Sequence, residues 1–269
     1  MLRILSDLHF YDARSQVRDL GQLEPLLAGV RTLVINGDSC EMRPGVPVPD
    51  VARLQRFFRE RVPEVIFLTG NHDPDISDTH ELLLASGRVW VTHGDVCFDD
   101  LTPWSRMLPE LRRAVHDLLA ADPAADYRTV DTRLRIAREA ARIVGTEIDP
   151  ADAGFHATLV RLWDTFFPPT QILAMLRAWR DLPALAATLA RAQRPTAQVV
   201  VTGHVHFPGV WVRPQRPTVI NTGSFFSPLG GHLVDVEGER VVVRRIRRRS
   251  GQFEAGRLVG EIPLIAAGA

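Results

Sequence analysis

The chain has 269 residues, 45% of them hydrophobic, which is ample for a large core in one elaborated domain or a domain with an inserted cap. Its 32 basic residues, all of them Arg, balance 32 acidic ones, so no global field draws it to nucleic acid or an anionic membrane and any anion site must be local. Two cysteines exclude a disulfide scaffold, no apolar run approaches the roughly 18 residues of a membrane span, and Met1 to Leu5 leads directly into polar motifs without room for a signal peptide, so a cytoplasmic location is expected.

Leu2 to Leu5 reads as a short strand that delivers Asp7 and His9 to its end; in extended chain these face one side and can grip one cation together. Leucines at helical spacing over residues 16 to 29 predict a helix capped by Gly29. Thr32 to Ile35 is a second strand, running into Asn36-Gly37-Asp38. A Pro- and Gly-rich loop follows, and then Asp50 to Arg61 has the apolar spacing of a helix. Val65 to Leu68 is a third strand, ending in Thr69-Gly70-Asn71-His72-Asp73. Strand, helix, strand, helix, strand predicts parallel pairing, and ligands of such sheets bind at the carboxyl ends of the strands. Leu82 to Leu84 and Val89 to Val91 flank Ser86-Gly87-Arg88 as a hairpin that ends in Thr92-His93-Gly94-Asp95.

From about Leu101 to Pro195 strand signals vanish. Helices are predicted near residues 104–119, 130–144, 151–166 and 170–192, with Pro183 interrupting the last and leaving a final piece over 184–192. Trp104, Trp163, Phe166, Phe167 and Trp179 must pack on one another, on a partner protomer or around an apolar substrate. β structure returns with Val199 to Val201, ending in Gly203-His204-Val205-His206. Further strands follow at Val210 to Val212, at Thr218 to Ile220 ending in Asn221-Thr222-Gly223-Ser224, and at His232 to Val236 and Val241 to Ile246. Arg244 to Arg249 reads as a basic strand face or an anionic partner's contact.

Taken in order, the chain presents Asp7-x-His9, Gly37-Asp38, Gly70-Asn71-His72-Asp73, His93-Gly94-Asp95 and Gly203-His204-x-His206, each after an apolar strand. Any one of these alone is ordinary loop chemistry; five in order are not. Asp, His and Asn donors without thiolates suit borderline divalent ions such as manganese, iron or zinc. The set resembles the calcineurin-like metallophosphoesterase superfamily over residues 1 to 98 and 196 to about 246. That resemblance implies an α/β fold, a four-layer αββα metallophosphoesterase sandwich, with the core in residues 1–100 and 181–269 and a helical cap inserted at 101–180.

The same resemblance implies two divalent metal ions. Asp7, His9 and His206 would hold one, Asn71, His93 and His204 the other, and Asp38 would bridge them. It implies hydrolysis of a phosphate ester or diphosphate bond by a metal-bridging hydroxide, with His72 acting on the substrate and Glu41 orienting His72. Asp73 and Asp95 read as turn-forming or ligand-supporting. The insertion, with Gly94-Asp95, Asp99-Asp100 and an Arg-bearing helix, is similar to the cap of the UDP-2,3-diacylglucosamine pyrophosphatases of lipid A synthesis, although that branch commonly has Arg at the position of His72. The expected partner is therefore a small-molecule phosphoester or diphosphate, acylated if the branch holds, and a homodimer is the other way to cover the insertion's apolar surface. Nucleic acid is not expected, because no basic groove studded with aromatics is evident. A non-catalytic metal-binding scaffold of the same fold is the alternative from another class; loss of ligands would mark it, and none is lost. As a cap, the insertion should be removable without loss of metal binding.

Overall fold

In the computed structural model, residues 1–44, 50–145 and 169–265 are described. Three strands open the chain, β1 (Leu2–Leu5), β2 (Thr32–Asn36) and β3 (Glu64–Leu68), and they pair in parallel as β1-β2-β3. Between them lie α1 (Glu24–Leu27) and α2 (Val51–Arg59). Then come β4 (Glu81–Leu84) and β5 (Val89–Thr92), the predicted antiparallel hairpin. The helices α3 (Leu108–Ala121), α4 (Val130–Ile143) and α5 (Pro169–Gln193) follow, and then β6 (Val199–Thr202), β7 (Gly209–Trp211), β8 (Thr218–Asn221), β9 (His232–Glu237), β10 (Arg240–Arg249) and β11 (Gln252–Pro263). One sheet has the order β11-β10-β9-β1-β2-β3 and the other β4-β5-β6-β8-β7.

Strand alternation builds the layers. Ile4, Val34, Val89, Val91, Val199, Val201, Ile220 and Val234 point between the two sheets and form one core. Their neighbours point the other way: Leu5, Leu33 and Ile35 pack beneath Leu26 of α1 and Leu54 and Phe58 of α2. On the second sheet Trp90, Val200 and Val219 pack under Leu111, Leu134, Ala137, Leu182 and Ala186 of the three later helices. The result is the expected α/β fold, helix on sheet on sheet on helix.

The described part of the insertion is thus the fourth layer. Removing residues 101–180 would uncover the fully buried Trp90, Val200 and Val219, so it is not the dispensable cover expected of a cap. The boundary at residue 180 falls inside α5, which runs unbroken through Pro183. Pro removes one helix hydrogen bond, but burial of Ala178, Leu182, Ala186, Ala187 and Ala190 on the second sheet outweighs that loss. The expected helix at 151–166, with Trp163, Phe166 and Phe167, lies outside the described residues.

Other expectations are corrected locally. Residues 16–29 are not one helix: Asp19 caps a 3-10 turn over Leu20–Leu23, and Pro25, which has no N–H to continue it, opens the short α1. Gly29 does take the left-handed conformation that ends a helix, at φ +72°. Strand β10 extends to Arg249 and pairs with β11, a strand not foreseen. Among the described residues, no helix is long and apolar enough to cross a membrane.

A buried ion pair locks the first sheet to its helices. Arg3 and Asp235 face each other across β1 and β9, with Arg3 Nε 2.7 Å from Asp235 Oδ1 and Nη2 2.8 Å from Oδ2, while Nη1 donates to Leu26 O at 2.6 Å. Removing one partner strands a buried charge, so Asp235→Ala should lower the unfolding free energy by about 3–5 kcal/mol. Urea denaturation checks this; a loss below about 1 kcal/mol would show that the Leu26 carbonyl and water suffice for Arg3.

Candidate metal centre

The parallel strands of both sheets end at one edge, and each end carries a motif. Asp7 and His9 follow β1, Asp38 follows β2, and Asn71 and His72 follow β3; His93 follows β5, and His204 and His206 follow β6. Backbone bonds join these loops: Asp7 N donates to Gly37 O at 3.1 Å, His9 N to Asp38 O at 2.9 Å, and Gly203 N to His93 O at 2.7 Å. Their glycines make room for one another's ligands. A Cβ on Gly203 would sit 2.1 Å from Asp7 Oδ2, and one on Gly37 2.4 Å from His93 Nδ1. Asp7, His9, Asp38, His204 and His206 all have positive φ, between 45° and 71°. Left-handed backbone costs a non-glycine residue roughly 1 kcal/mol or more, and such strain collects at functional sites.

All seven candidate metal ligands converge. Ligand atoms of Asp7, His9, Asp38 and His206 lie within 4.8 Å of one another, as do those of Asp38, His93 and His204. Asp38 belongs to both groups, its Oδ2 lying 3.7 Å from His9 Nε2 and 3.2 Å from His93 Nε2. Asn71 completes the second group, with Oδ1 2.8 Å from His204 Nδ1 and 3.2 Å from His93 Nε2. His9 Nε2 and His206 Nε2 approach to 3.1 Å in the first.

The donor set fits divalent cations, and tautomers decide this. His93 Nδ1 lies 3.0 Å from Asn36 O and His204 Nε2 lies 2.9 Å from Leu101 O; a carbonyl accepts only, so each of those nitrogens carries a proton. The opposite nitrogens, His93 Nε2 and His204 Nδ1, face Asn71 Oδ1 and Asp38; His204 turns a lone pair there, and His93 would do so once a cation took the place of its second proton, the arrangement of imidazoles oriented from behind to bind metal. Burial, reinforced by neighbouring imidazoles, holds His9 and His204 well below the usual histidine range, which keeps their lone pairs available. Burial also disfavours a charge on His93, but the Asp38 carboxylate overrides it and raises His93 well above that range. For Asp38, burial opposes ionisation, yet His93, His72 and His9 hold it well below the usual carboxylate range. The site therefore has a carboxylate that seeks positive charge from both sides.

His72 belongs to neither group of converging ligand atoms, although its ring lies 4.8 Å from that of His9. Its Nε2 faces the centre, 3.9 Å from Asp38 Oδ2, and its Nδ1 lies 2.6 Å from Glu41 Oε2. Arg43, which the sequence reading did not single out, donates to the same Glu41 Oε2 at 2.8 Å and places Nη2 3.0 Å from His72 Nδ1. Burial opposes ionisation of Glu41, but the bonds from Arg43 and His72 bring it down to about 2, so it is a carboxylate that can orient the imidazole.

Asp73, read as turn-forming or ligand-supporting, is fully buried and accepts three backbone N–H groups: Asp38 N at 2.9 Å, Gly70 N at 2.8 Å and Ser39 N at 2.6 Å. It thus fixes the loops of Asp38 and Asn71 to each other. Asp73→Ala would orphan three donors, at about 1–3 kcal/mol each before relaxation, and should weaken metal binding by roughly 10–100-fold. Thermal unfolding with metal titration checks both; unchanged affinity would show that the loops hold without it. Asp95 is also buried, starting a 3-10 turn after Gly94. Cys40 and Cys97 are buried thiols, both pushed well above the usual thiol range chiefly by burial, and are inert. His232 is buried, His80 is bonded to Thr69, and His116 is exposed; His156 is outside the described residues.

No family model matches the chain, and no curated protein matches it. Among solved structures it is similar to a single mutant of Vps29 from Entamoeba histolytica, at 11% identity and a TM-score of 0.47, covering 98% of this chain and 99% of that one. It is also similar to Chaetomium thermophilum Vps29, at 12% identity and TM-score 0.47 with 98% of each chain covered. A dimetal phosphatase from Danio rerio matches at 12% identity and TM-score 0.43, again with 98% of each covered. Likenesses this weak do not bear on function.

Proposed function

We propose that this chain is a metal-dependent hydrolase of a phosphate ester or diphosphate bond, of the calcineurin-like metallophosphoesterase kind that its five motifs resemble. The observation that carries this reading is the Asp38 carboxylate standing between two sets of converging donors, with the backs of His93 and His204 fixed by carbonyls. Asp7, His9 and His206 would hold one divalent cation, Asn71, His93 and His204 a second, and Asp38 both. Such a pair supplies Lewis acidity for a phosphoryl oxygen and lowers the pKa of water. Four of the seven donors named are histidines and one is a neutral amide, so the two carboxylates, Asp7 and Asp38, would leave the bound centre with excess positive charge for a phosphate anion.

The protein's own groups supply the rest. A protonated His72 would be paired with Glu41 at Nδ1 and present Nε2–H to the centre, where it donates to the leaving oxygen or to a phosphoryl oxygen. Arg43 keeps Glu41 ionised and in place. A substrate with an apolar group beside the phosphate is favoured by the half-buried Trp104, whose ring lies 5.0 Å from that of His204. This is the feature that keeps an acylated diphosphate among the candidates.

The test is hydrolysis of bis(p-nitrophenyl) phosphate by the full chain, stripped with chelator and then given manganese or zinc. Activity that vanishes on stripping and returns with metal is expected. Metal binding with no turnover of monoester, diester or nucleoside diphosphate conjugates would favour a non-catalytic scaffold instead.

A further inference from the structure

Helix α4 lies in the fourth layer, yet its arginines reach past the layer to the loops behind the metal centre. Arg138 Nε donates to Pro74 O at 2.8 Å, and Nη2 to Ser77 O at 3.2 Å and Asp78 Oδ1 at 3.0 Å. Those acceptors all belong to the loop that begins with Asn71. One helical turn further on, Arg142 pairs with Asp75 of the same loop. Near the other end of the helix, Arg133 Nη1 donates to Val96 O at 3.0 Å and Nη2 to Asp99 Oδ1 at 2.6 Å. That segment starts at His93 and ends at Leu101, whose carbonyl fixes His204 Nε2.

Arg133 and Arg138 are both 15% exposed at the side chain, so their charges are largely removed from water and depend on these acceptors. The first group of donors is supported from elsewhere. Phe225 N donates to Asp7 O at 3.2 Å, and Ser6 Oγ lies 2.5 Å from Thr222 Oγ1. Asn71 and His93 therefore sit on segments held by α4, and the Leu101 carbonyl behind the His204 ring belongs to one of them, while Asp7 has its own support from the segment after β8.

We infer that α4 is a positioning element for one metal subsite: Arg138 holds the loop of Asn71, and Arg133 the segment that carries His93 and fixes His204. This rests on the two-metal reading above and goes beyond it, because it makes the affinities of the two subsites separable. The insertion then serves the metal centre itself, through two guanidinium groups that never touch a ligand atom.

The test is a manganese titration of the full-length chain by calorimetry, with electron paramagnetic resonance to report whether bound ions are paired or single. The wild type should bind two ions in a spin-coupled pair. In Arg138→Gln one binding step should weaken by about 10–100-fold, the range for groups that orient ligands from behind, and the other should stay within about twofold, so that half-loaded protein shows single ions. Arg138→Gln should add nothing further to Asn71→Ala but its full loss to His206→Ala, since only the first pair acts on one subsite. If Arg138→Gln does not fold, Arg138→Lys keeps the charge without the fork and should show a smaller, equally selective loss. Arg133→Gln should reproduce the selectivity. Two ions in the wild type with both steps weakened alike, or neither, would overturn the role of α4. A wild type that binds no pair of ions would overturn the two-metal reading beneath it.

Discussion

Replacing Asp38 by Asn should remove the metal pair and the activity together. The carboxylate is buried, ionised, and within 3.7 Å of an imidazole nitrogen of each donor group. An amide of the same shape offers one oxygen and no charge, so it can neutralise neither side of a centre with two divalent cations. Several kcal/mol of transition-state stabilisation should go with it, which corresponds to a fall in turnover of roughly 10³-fold or more. The fold should persist, because Asp38 N and the Asp73 carboxylate still hold the loop. Metal content by plasma emission and turnover of a chromogenic diester check both halves; two ions with near-native turnover in Asp38→Asn would remove Asp38 from the bridging position.

His72→Ala should have the opposite signature, with metal retained and chemistry lost. Its Nε2 faces the centre, yet its ring is held by Glu41 on the far side, and among the described residues no carbonyl fixes it as a ligand. Loss of a positioned proton donor is worth about 10²–10⁴-fold in turnover. The loss should shrink for a leaving group that needs no proton, such as nitrophenolate, and grow for an alkoxide. An equal loss across leaving groups of widely different pKa would leave His72 with electrostatic stabilisation alone. Glu41→Gln keeps the hydrogen bond but not the charge, and should give a smaller loss along the same trend.

Much of the site was legible because each ligand follows a strand whose alternation or continuous apolar run is plain, and because glycine precedes Asp38, Asn71 and His204 where another motif's side chain occupies the Cβ space. Strand patterning gave the parallel β1-β2-β3 unit, whereas the two-sheet sandwich came from the resemblance that the five motifs carry. Strand β11 was not legible: Leu258 and Val259 are exposed beside Arg257 and Glu261, so it lacks an apolar-in, polar-out alternation, and its pairing is set by the hairpin at Ser250-Gly251 more than by apolar periodicity. The 3-10 turn at Leu20 was hidden because leucine spacing looks helical whether or not Pro25 lets the backbone bonds continue.

Within the site, side-chain identity could announce ligands but not what holds them. The Leu101 carbonyl behind His204 leaves no mark in the residue type, since any residue has a carbonyl. Asp73 was visible as an acid beside the motif, but its three backbone N–H bonds come from two loops brought together by β2 and β3. Arg43 lies two residues from Glu41, and that spacing alone was the available signal. The role of α4 depends on tertiary contacts between helices and loops some 60 residues apart in sequence, for which the chain has no local signature.

The central claim is that Asp38 lies between two cations. Diffraction from crystals of the full chain grown with manganese, measured above and below the manganese absorption edge, tests it directly. Two anomalous peaks should flank the Asp38 carboxylate about 3.5–4 Å apart, one among Asp7, His9 and His206 and the other among Asn71, His93 and His204. A single peak away from Asp38, or none at saturating manganese, would contradict the account.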